Sequence, residues 1–479
     1  MSEPVQPSVW ERIRRLTGAA GWQRLWVGYS GGADSEALLW LLAGAAQQTR
    51  DRLRAVHVIH HLHPDCRAWA EHCAARCAVV GVPLDVLEVR VGRVGGVEAA
   101  ARNARYQAWA ALLGEGDLLC TAHHREDQAE TVLLRLLRGS GIDGLAGMPA
   151  RRRLGRGWLL RPLLDVPRER LRAVSVEAGV AVIEDPANQD LGFDRVFVRR
   201  RVLPLLAQRW PAVVDTLVGL GVAAGEAVTL SGALARVDGL EVGSLDCRRL
   251  RQLDPVRQAN LVRAWLHAVG LRPPGRRFLH AGLLAMLGAA ADRQPEWVWG
   301  GGVVRRYRDR LYAESPDQAQ PADAAEDLQA GPRRLPSEAG SELRLALGYG
   351  LLRMSMAPDD GGSARVSWLD VESLRVGLYL DQRRAGDRCR LISGVSRRLK
   401  DLLRESGMLP WWRDRWPVLR NRSGAVVAVP GVCVAHEALP APGGEAVGVW
   451  FQPRNCAFPG DLLPLNSNDQ GLPASRGSD

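Results

Sequence analysis

Up to about residue 210, short apolar runs alternate with amphipathic stretches, and no other feature constrains the fold as much. Strands that pair in parallel need crossover connections, so this alternation predicts a parallel sheet covered by helices. Leu25–Tyr29, Arg54–Ile59, Leu84–Val89 and Asp117–Thr121 read as strands. Helices are expected over Glu36–Gln47, Trp69–Val80, Val97–Leu113 and Glu126–Arg138, with Gly81 and Gly139 as the stops of the second and fourth.

A chain of 479 residues is too long for one core, so more domains should follow. Residues 211–312 read as mostly helical, and 313–340, rich in Ala, Pro, Glu and Asp, as a linker. Strand-like runs over 341–455 suggest a small module, and 456–479 read as a disordered tail. The expected fold class is an α/β parallel-sheet domain over 1–210, then a helical domain, then a small α+β domain at the C-terminus.

Basic residues number 63 against 53 acidic, a net charge of +10 that favours a polyanionic partner such as nucleic acid. Lys400 is the only lysine, so the other basic residues are all arginine. That excludes a Walker A loop and a kinase strand lysine, both of which need a lysine close to a Gly-rich loop. The eight cysteines are scattered with no CxxC pair, which argues against a secreted disulfide framework. Met1–Trp10 lacks a charged region followed by an apolar one, and the apolar run Ala37–Ala46 is about half of the ~20 residues that span a bilayer. A reduced, cytoplasmic protein with no membrane partner is the expectation. His57, His60, His61, His63 and His72 with Cys66, Cys73 and Cys77 show no zinc-type spacing, so no metal centre is expected there.

Ser30-Gly31-Gly32-Ala33-Asp34-Ser35 lies between a predicted strand and a predicted helix. Its glycines let backbone N–H groups wrap an anion, its hydroxyls add donors, and the helix N-terminus favours phosphate. Asp34 would repel that phosphate unless Mg²⁺ lies between them. A plain Gly-rich turn would also explain the glycines alone. The loop resembles the S-G-G-x-D-S loop of the ATP pyrophosphatase (PP-loop) superfamily, whose members cleave ATP between its α and β phosphates. That resemblance implies an adenine nucleotide alpha hydrolase-like nucleotide-binding domain.

A second stretch, Thr121-Ala122-His123-His124-Arg125-Glu126-Asp127-Gln128-Ala129-Glu130-Thr131, also lies at a strand-to-helix junction. Asp127 and Glu130, three apart, share a helix face where they can hold a metal or take a proton from an amine. Acids in a first helical turn would equally suit its dipole, though that leaves the histidine pair unexplained. Continued through Arg138-Gly139-Ser140-Gly141 to Met148, the stretch closely resembles the signature of the tRNA(Ile)-lysidine synthetase family. Glu98, Arg102, Arg105 and Tyr106 resemble another of its motifs, as do Arg161–Leu164, Glu184–Arg195 and Arg305–Tyr312. Two departures stand out: Glu126 replaces an aspartate, and Val196 replaces an asparagine.

The resemblance implies an enzyme that uses ATP, Mg²⁺, free L-lysine and tRNA(Ile) with a CAU anticodon, and it is compatible with a homodimer. In the implied reaction the wobble cytidine is adenylated, and lysine then displaces AMP to give lysidine. Ser30, Gly31, Gly32, Ala33, Asp34 and Ser35 would bind ATP, with Asp34 and Asp127 holding Mg²⁺. Asp34, Asp127, Glu130 and Arg102 would be catalytic, with the base left open between Asp127 and Glu130. Arg105, Arg195, Arg397, Arg398, Lys400, Arg413 and Arg415 would contact tRNA, while Trp411, Trp412 and Trp416 either stack on bases or fill a tryptophan-rich small core with a basic rim. A tRNA thiolation enzyme and a non-catalytic RNA-binding protein are the alternatives; the missing CxxC argues against the first and the intact Ser30–Ser35 loop against the second.

Overall fold

The computed structural model describes residues 5–18, 21–44, 47–92, 96–177, 179, 183, 186–241, 243–290, 293–315, 332–335, 342–347, 350–356 and 366–453. Glu184, Asp185, most of the expected linker and the expected tail lie outside the described residues. The chain divides into two compact units, Met1–Leu230 and Ser231–Asp479.

The first unit is built on a six-stranded sheet. Its strands are β1 (Leu25–Gly28), β2 (Leu53–Ile59), β3 (Leu84–Glu88), β4 (Leu118–Cys120), β5 (Arg151–Leu154) and β6 (Gly157–Leu160). Their spatial order is β3-β2-β1-β4-β6-β5, with only β5 antiparallel to its neighbour. Side chains alternate across a strand, and both faces of this sheet are covered. Leu25 and Val27 point to one face with Val9, Ile13, Leu38 and Leu42, while Trp26 packs on the other with Val56, Trp109 and Leu119. The chain runs outward from β1 to β3 and then returns to place β4 on the other side of β1. That reversal makes the β1/β4 edge a topological switch point, the place where open α/β sheets bind ligands.

The four strands read from the sequence are all present, and the helices between them begin within three residues of expectation. The β5–β6 hairpin was not foreseen, because Arg151-Arg152-Arg153 hides a strand behind charge. Its cations lie over aromatic rings: Arg151 and Arg153 stand 3.8 and 4.4 Å from the Trp158 ring. Charged side chains on an edge strand also block pairing with another chain.

The helix Val213–Val237 runs across the boundary between the units; Leu217 packs with Ala129 and Val132, and Ala235 packs with Leu245 and Trp265. By length and composition alone it is apolar enough to cross a membrane, a property the sequence reading passed over. In the second unit the region read as mostly helical also holds a four-stranded antiparallel sheet: Ser244–Asp246, Glu296–Trp299, Gly302–Tyr307 and Arg310–Glu314. The expected linker start is therefore displaced, since Ala313 and Glu314 are buried strand residues and Leu335 is buried as well.

The C-terminal part combines a five-stranded and a four-stranded sheet with the helix Leu399–Glu405, which makes it α+β. Buried Arg420 ties its core together, donating from Nε to Asp381 at 2.6 Å and from Nη2 to Asp387 at 2.6 Å. Removing one member of a buried charge network leaves the others uncompensated. Arg420→Met is therefore expected to cost about 3–5 kcal/mol, measured as a lower urea midpoint for loss of the C-terminal tryptophan fluorescence signal.

Candidate active site

β1 ends at Gly28, and Tyr29 leads into a tight turn before the helix Ala33–Ala43. The turn is closed from within. Ser30 N donates to Ser35 Oγ at 3.2 Å, the two hydroxyls lie 3.0 Å apart, and Ser35 Oγ donates to the Gly32 carbonyl at 2.9 Å. Gly31 sits at φ +81°, and a Cβ there would come 2.4 Å from Ile183 Cδ1. Both backbone and space therefore demand glycine. The loop presents its amide groups at the start of a helix, the arrangement that receives phosphate.

β4 leads through Thr121 and His123 to His124, and the helix Arg125–Leu137 follows. His124 N donates to Asp127 Oδ2 at 3.1 Å, which fixes the first turn. The His124 side chain, only 1% exposed, lies among three carboxylates: its Nδ1 is 2.9 Å from Glu126 Oε2, and its Nε2 is 3.4 Å from Asp127 Oδ2 and 3.6 Å from Asp34 Oδ2. The two strand-end turns thus meet, with His124 between the acid of one and the acids of the other. Burial opposes its charge, but Asp34, Glu126 and Asp127 outweigh burial and raise its pKa to about 9. Neighbouring His123 is the opposite case: burial pushes it down to about 3, and its Nδ1 meets Thr121 Oγ1 at 2.8 Å.

Asp127 and Glu130 do share a helix face, but neither is open. Arg195 reaches both, with Nε to Glu130 Oε2 at 2.9 Å and Nη2 to Asp127 Oδ1 at 2.8 Å. Arg199 does the same, with Nε to Glu130 Oε1 at 2.6 Å and Nη2 to Glu130 Oε2 at 3.0 Å and to Asp127 Oδ1 at 2.8 Å. Burial would raise the Asp127 pKa, but His124, Arg195, His123 and Arg199 together bring it down to about 2. A carboxylate held that low does not accept a proton near neutral pH, which argues against Asp127 as the base. Its oxygens are also taken, so it does not offer itself as a metal ligand. Asp34 does: its Oδ1 is buried with no hydrogen-bond partner, and Arg168 Nε lies 3.9 Å from it.

Arg195, expected to touch tRNA, is instead committed to the two acids. Arg199 carries no signal in the sequence, because Glu130 lies 69 residues away from it, whereas the histidine pair left unexplained by helix-start chemistry now has a place: His124 faces Glu126, Asp127 and Asp34. Glu126, one methylene longer than the family's aspartate, accepts from the Arg168 backbone N–H at 3.0 Å as well as facing His124. It serves the helix Arg168–Glu177 and the histidine. Nothing in the structure explains Val196.

Arg102 lies on a second cluster. It stands 5.0 Å from the Tyr106 ring and donates to the phenol oxygen at 3.3 Å; Arg152 covers the ring at 4.7 Å, and Arg161 Nη2 reaches the oxygen at 3.4 Å. Among the described residues none of these three arginines forms an ion pair; Arg161 is buried and also donates from Nη1 to the Pro149 carbonyl at 2.7 Å. Arg105 stands 5.5 Å from the Trp109 ring.

In the C-terminal part, Trp412 and Trp416 are 4% and 3% exposed, so they are core residues and not stacking platforms. Trp411 and Trp412 donate to Glu314 Oε1 at 2.7 and 3.1 Å, and Trp416 to the Pro430 carbonyl at 2.9 Å. A small apolar domain needed those indoles inside. Arg413 is held by Met408 O and the Tyr307 hydroxyl, each at 2.9 Å, and Arg397 by Glu405 at 2.6 Å. Arg415 is half-buried and acts on Glu314, whereas Arg398 and Lys400 are exposed. A cavity of about 340 Å³ is lined by Arg383, Lys400, Asp401, Arg404, Arg413 and Asp414.

A sheet with this order and a Gly-rich anion loop at its switch point defines a PP-loop nucleotide-binding protein, and the PP-loop domain model matches residues 5–206. The TilS substrate binding domain model matches 245–312, and the TilS substrate C-terminal domain model 378–450. The tRNA(Ile)-lysidine synthase of Alkalilimnicola ehrlichii is 44% identical over 87% of this chain and 91% of its own. That of Methylococcus capsulatus is 39% identical over 82% and 88%, and that of Xanthomonas axonopodis pv. citri 39% over 86% and 90%. The chain belongs to the tRNA(Ile)-lysidine synthase family.

The cluster predicts a pH profile for the metal-free protein. His124 has its folded pKa raised from 6.5 to about 9, so its stabilisation is complete below 6.5 and is lost as pH rises through 9. Asp127 is lowered from 3.8 to about 2, so its stabilisation is present above 3.8 and is lost as pH falls through 2. Thermal unfolding should show a decline between pH 6.5 and 9 that His124→Gln flattens. An unchanged slope in the variant would contradict the assignment.

Proposed function

We infer that the chain catalyses ATP-dependent formation of lysidine on the wobble cytidine of tRNA(Ile), with free L-lysine as the second substrate. One observation supports this most: the phosphate loop and the acid-bearing turn meet at a single sheet edge, Asp34 facing His124. The reaction adenylates the cytidine, releasing pyrophosphate, and the lysine ε-amine then attacks carbon 2 of the ring as AMP leaves.

ATP phosphates suit the N-terminal amides of the helix Ala33–Ala43, in a loop whose Ser30 and Ser35 hydroxyls hold the turn closed. Mg²⁺ suits Asp34, whose buried Oδ1 is a hard oxygen donor lacking a partner; when bound, it would spread the charge of the departing pyrophosphate. His124, charged and walled by acids, holds Asp34 near Asp127 without offering a proton at neutral pH. Lysine's ammonium has a reference pKa near ~10.4 and must lose a proton before it attacks. With Asp127 held low, Glu130 is the carboxylate left to take it.

The Arg102–Arg152–Arg161 cluster suits an RNA phosphate, as do exposed Arg398 and the Lys400 cavity. Burial raises the Cys73 and Cys77 thiols to about 12, which argues against either as the nucleophile of a thiolation. A cytoplasmic location and a homodimer go with this reading as expectations, the latter open to sedimentation velocity.

Labelled lysine should enter unmodified tRNA(Ile) bearing CAU, with AMP and pyrophosphate released; no incorporation sinks the assignment. Glu130→Gln is expected to slow lysine transfer about 10²–10⁴-fold while tRNA-dependent pyrophosphate release persists, because the base acts only in the second step. Loss of both steps together would count against that role. Affinity for tRNA should fall roughly 10³-fold between about 50 and 200 mM salt, and a flat response would contradict phosphate binding.

A further inference from the structure

Glu130 cannot accept a proton from lysine while two guanidinium groups cover it. Asp127 and Glu130 carry two negative charges, and Arg195 and Arg199 carry two positive ones, so the pair is neutral as it stands. Glu130 is 1% exposed and has both oxygens bonded by arginine. An arriving ammonium would meet no net attraction, and three of the four acceptor sites on Glu130 are already filled by guanidinium N–H groups. One guanidinium has to leave first.

The two arginines are not equivalent. Arg195 lies on a short α-helical turn, Asp194–Phe197, and Arg199 on the π-helical turn Val198–Val202 that follows. A π turn inside an α-helical run holds one residue too many, and such turns are frequent at functional sites. Its ends are anchored: Val198 and Leu203 are buried with Ala129, Val132 and Leu133. Between them Arg199 is half-buried, Arg200 and Arg201 are exposed, and Val202 packs against the same cluster. Arg199 makes three bonds to the acids, and Asp34 across the site adds to the field that keeps it charged. The phosphates of a nucleotide would bind beside that same Asp34.

We propose that Arg199 occupies the ammonium position of the lysine site in the free enzyme and is drawn off it by the nucleotide phosphates, so that lysine binds after ATP. The proposal rests on the reading of Glu130 as the base that meets lysine's ammonium, with Asp127 beside it. No group is consumed: a guanidinium exchanges two carboxylates for phosphate oxygens, and an ammonium replaces it. Because linkage is reciprocal, lysine must tighten nucleotide binding by the same factor that the nucleotide tightens lysine.

Calorimetric titration of L-lysine into the full chain tests this, with and without Mg²⁺ and α,β-methylene-ATP. Lysine should bind at least about 10-fold tighter with the analogue present. Equal affinity in the two conditions overturns the proposal and requires no variant. Arg199→Gln should raise lysine affinity in the nucleotide-free protein and shrink the coupling, whereas Arg195→Gln should leave the coupling in place. Equal effects of the two variants would also overturn it. Glu130→Gln separates the two readings. If that variant binds lysine as tightly as the parent with the analogue present, the acid pair is not the lysine site and the functional assignment fails. If it weakens lysine binding but the parent shows no coupling, the assignment stands and the gate fails.

Discussion

One buried histidine between carboxylates from two different turns sets the chemistry of this protein. Asp34 comes from the turn after β1, and Glu126 and Asp127 from the turn after β4; without a cation among them their charges would push the turns apart. His124 supplies that cation at the cost of its own desolvation, which three acids outweigh. The strand order makes the meeting possible. Because β1 and β4 are direct neighbours at the point where the sheet reverses, their following loops have nowhere else to go.

From that junction the charges alternate outward. Acids surround His124, arginines from the segment 194–202 cover the far acids, and the Tyr106 cluster adds arginines that form no ion pair among the described residues. The balanced zone suits a site that has to hold a small cation at one moment and release it at another. The unbalanced zone suits an anion arriving from outside.

Much of this was legible in the chain. Apolar runs of strand length separated by amphipathic helices announced the sheet, and the Ser30–Ser35 and Thr121–Thr131 stretches fall after β1 and β4, at the switch point where open α/β sheets bind ligands. Sequence reasoning stopped where partners are distant along the chain. Arg199 meets Glu130 from 69 residues away, and no periodicity links them. The tryptophans misled for another reason: Trp412 and Trp416 sit among arginines in sequence but not in space, and a small domain buries its largest apolar side chains first. The Arg151–Leu154 strand was masked by the same bias, since three successive arginines do not look like a strand until Trp158 is seen beneath two of them.

The choice of guanidinium over amine on the acid pair has a further chemical meaning. An activated pyrimidine is an electrophile that any unprotonated primary amine within reach would capture. Arginine, with its pKa above ~12, fills a cation-shaped space yet stays inert as a nucleophile. Were position 199 a lysine, the enzyme would carry a rival to its own substrate in the reaction chamber and would risk becoming covalently joined to the RNA it is meant to release.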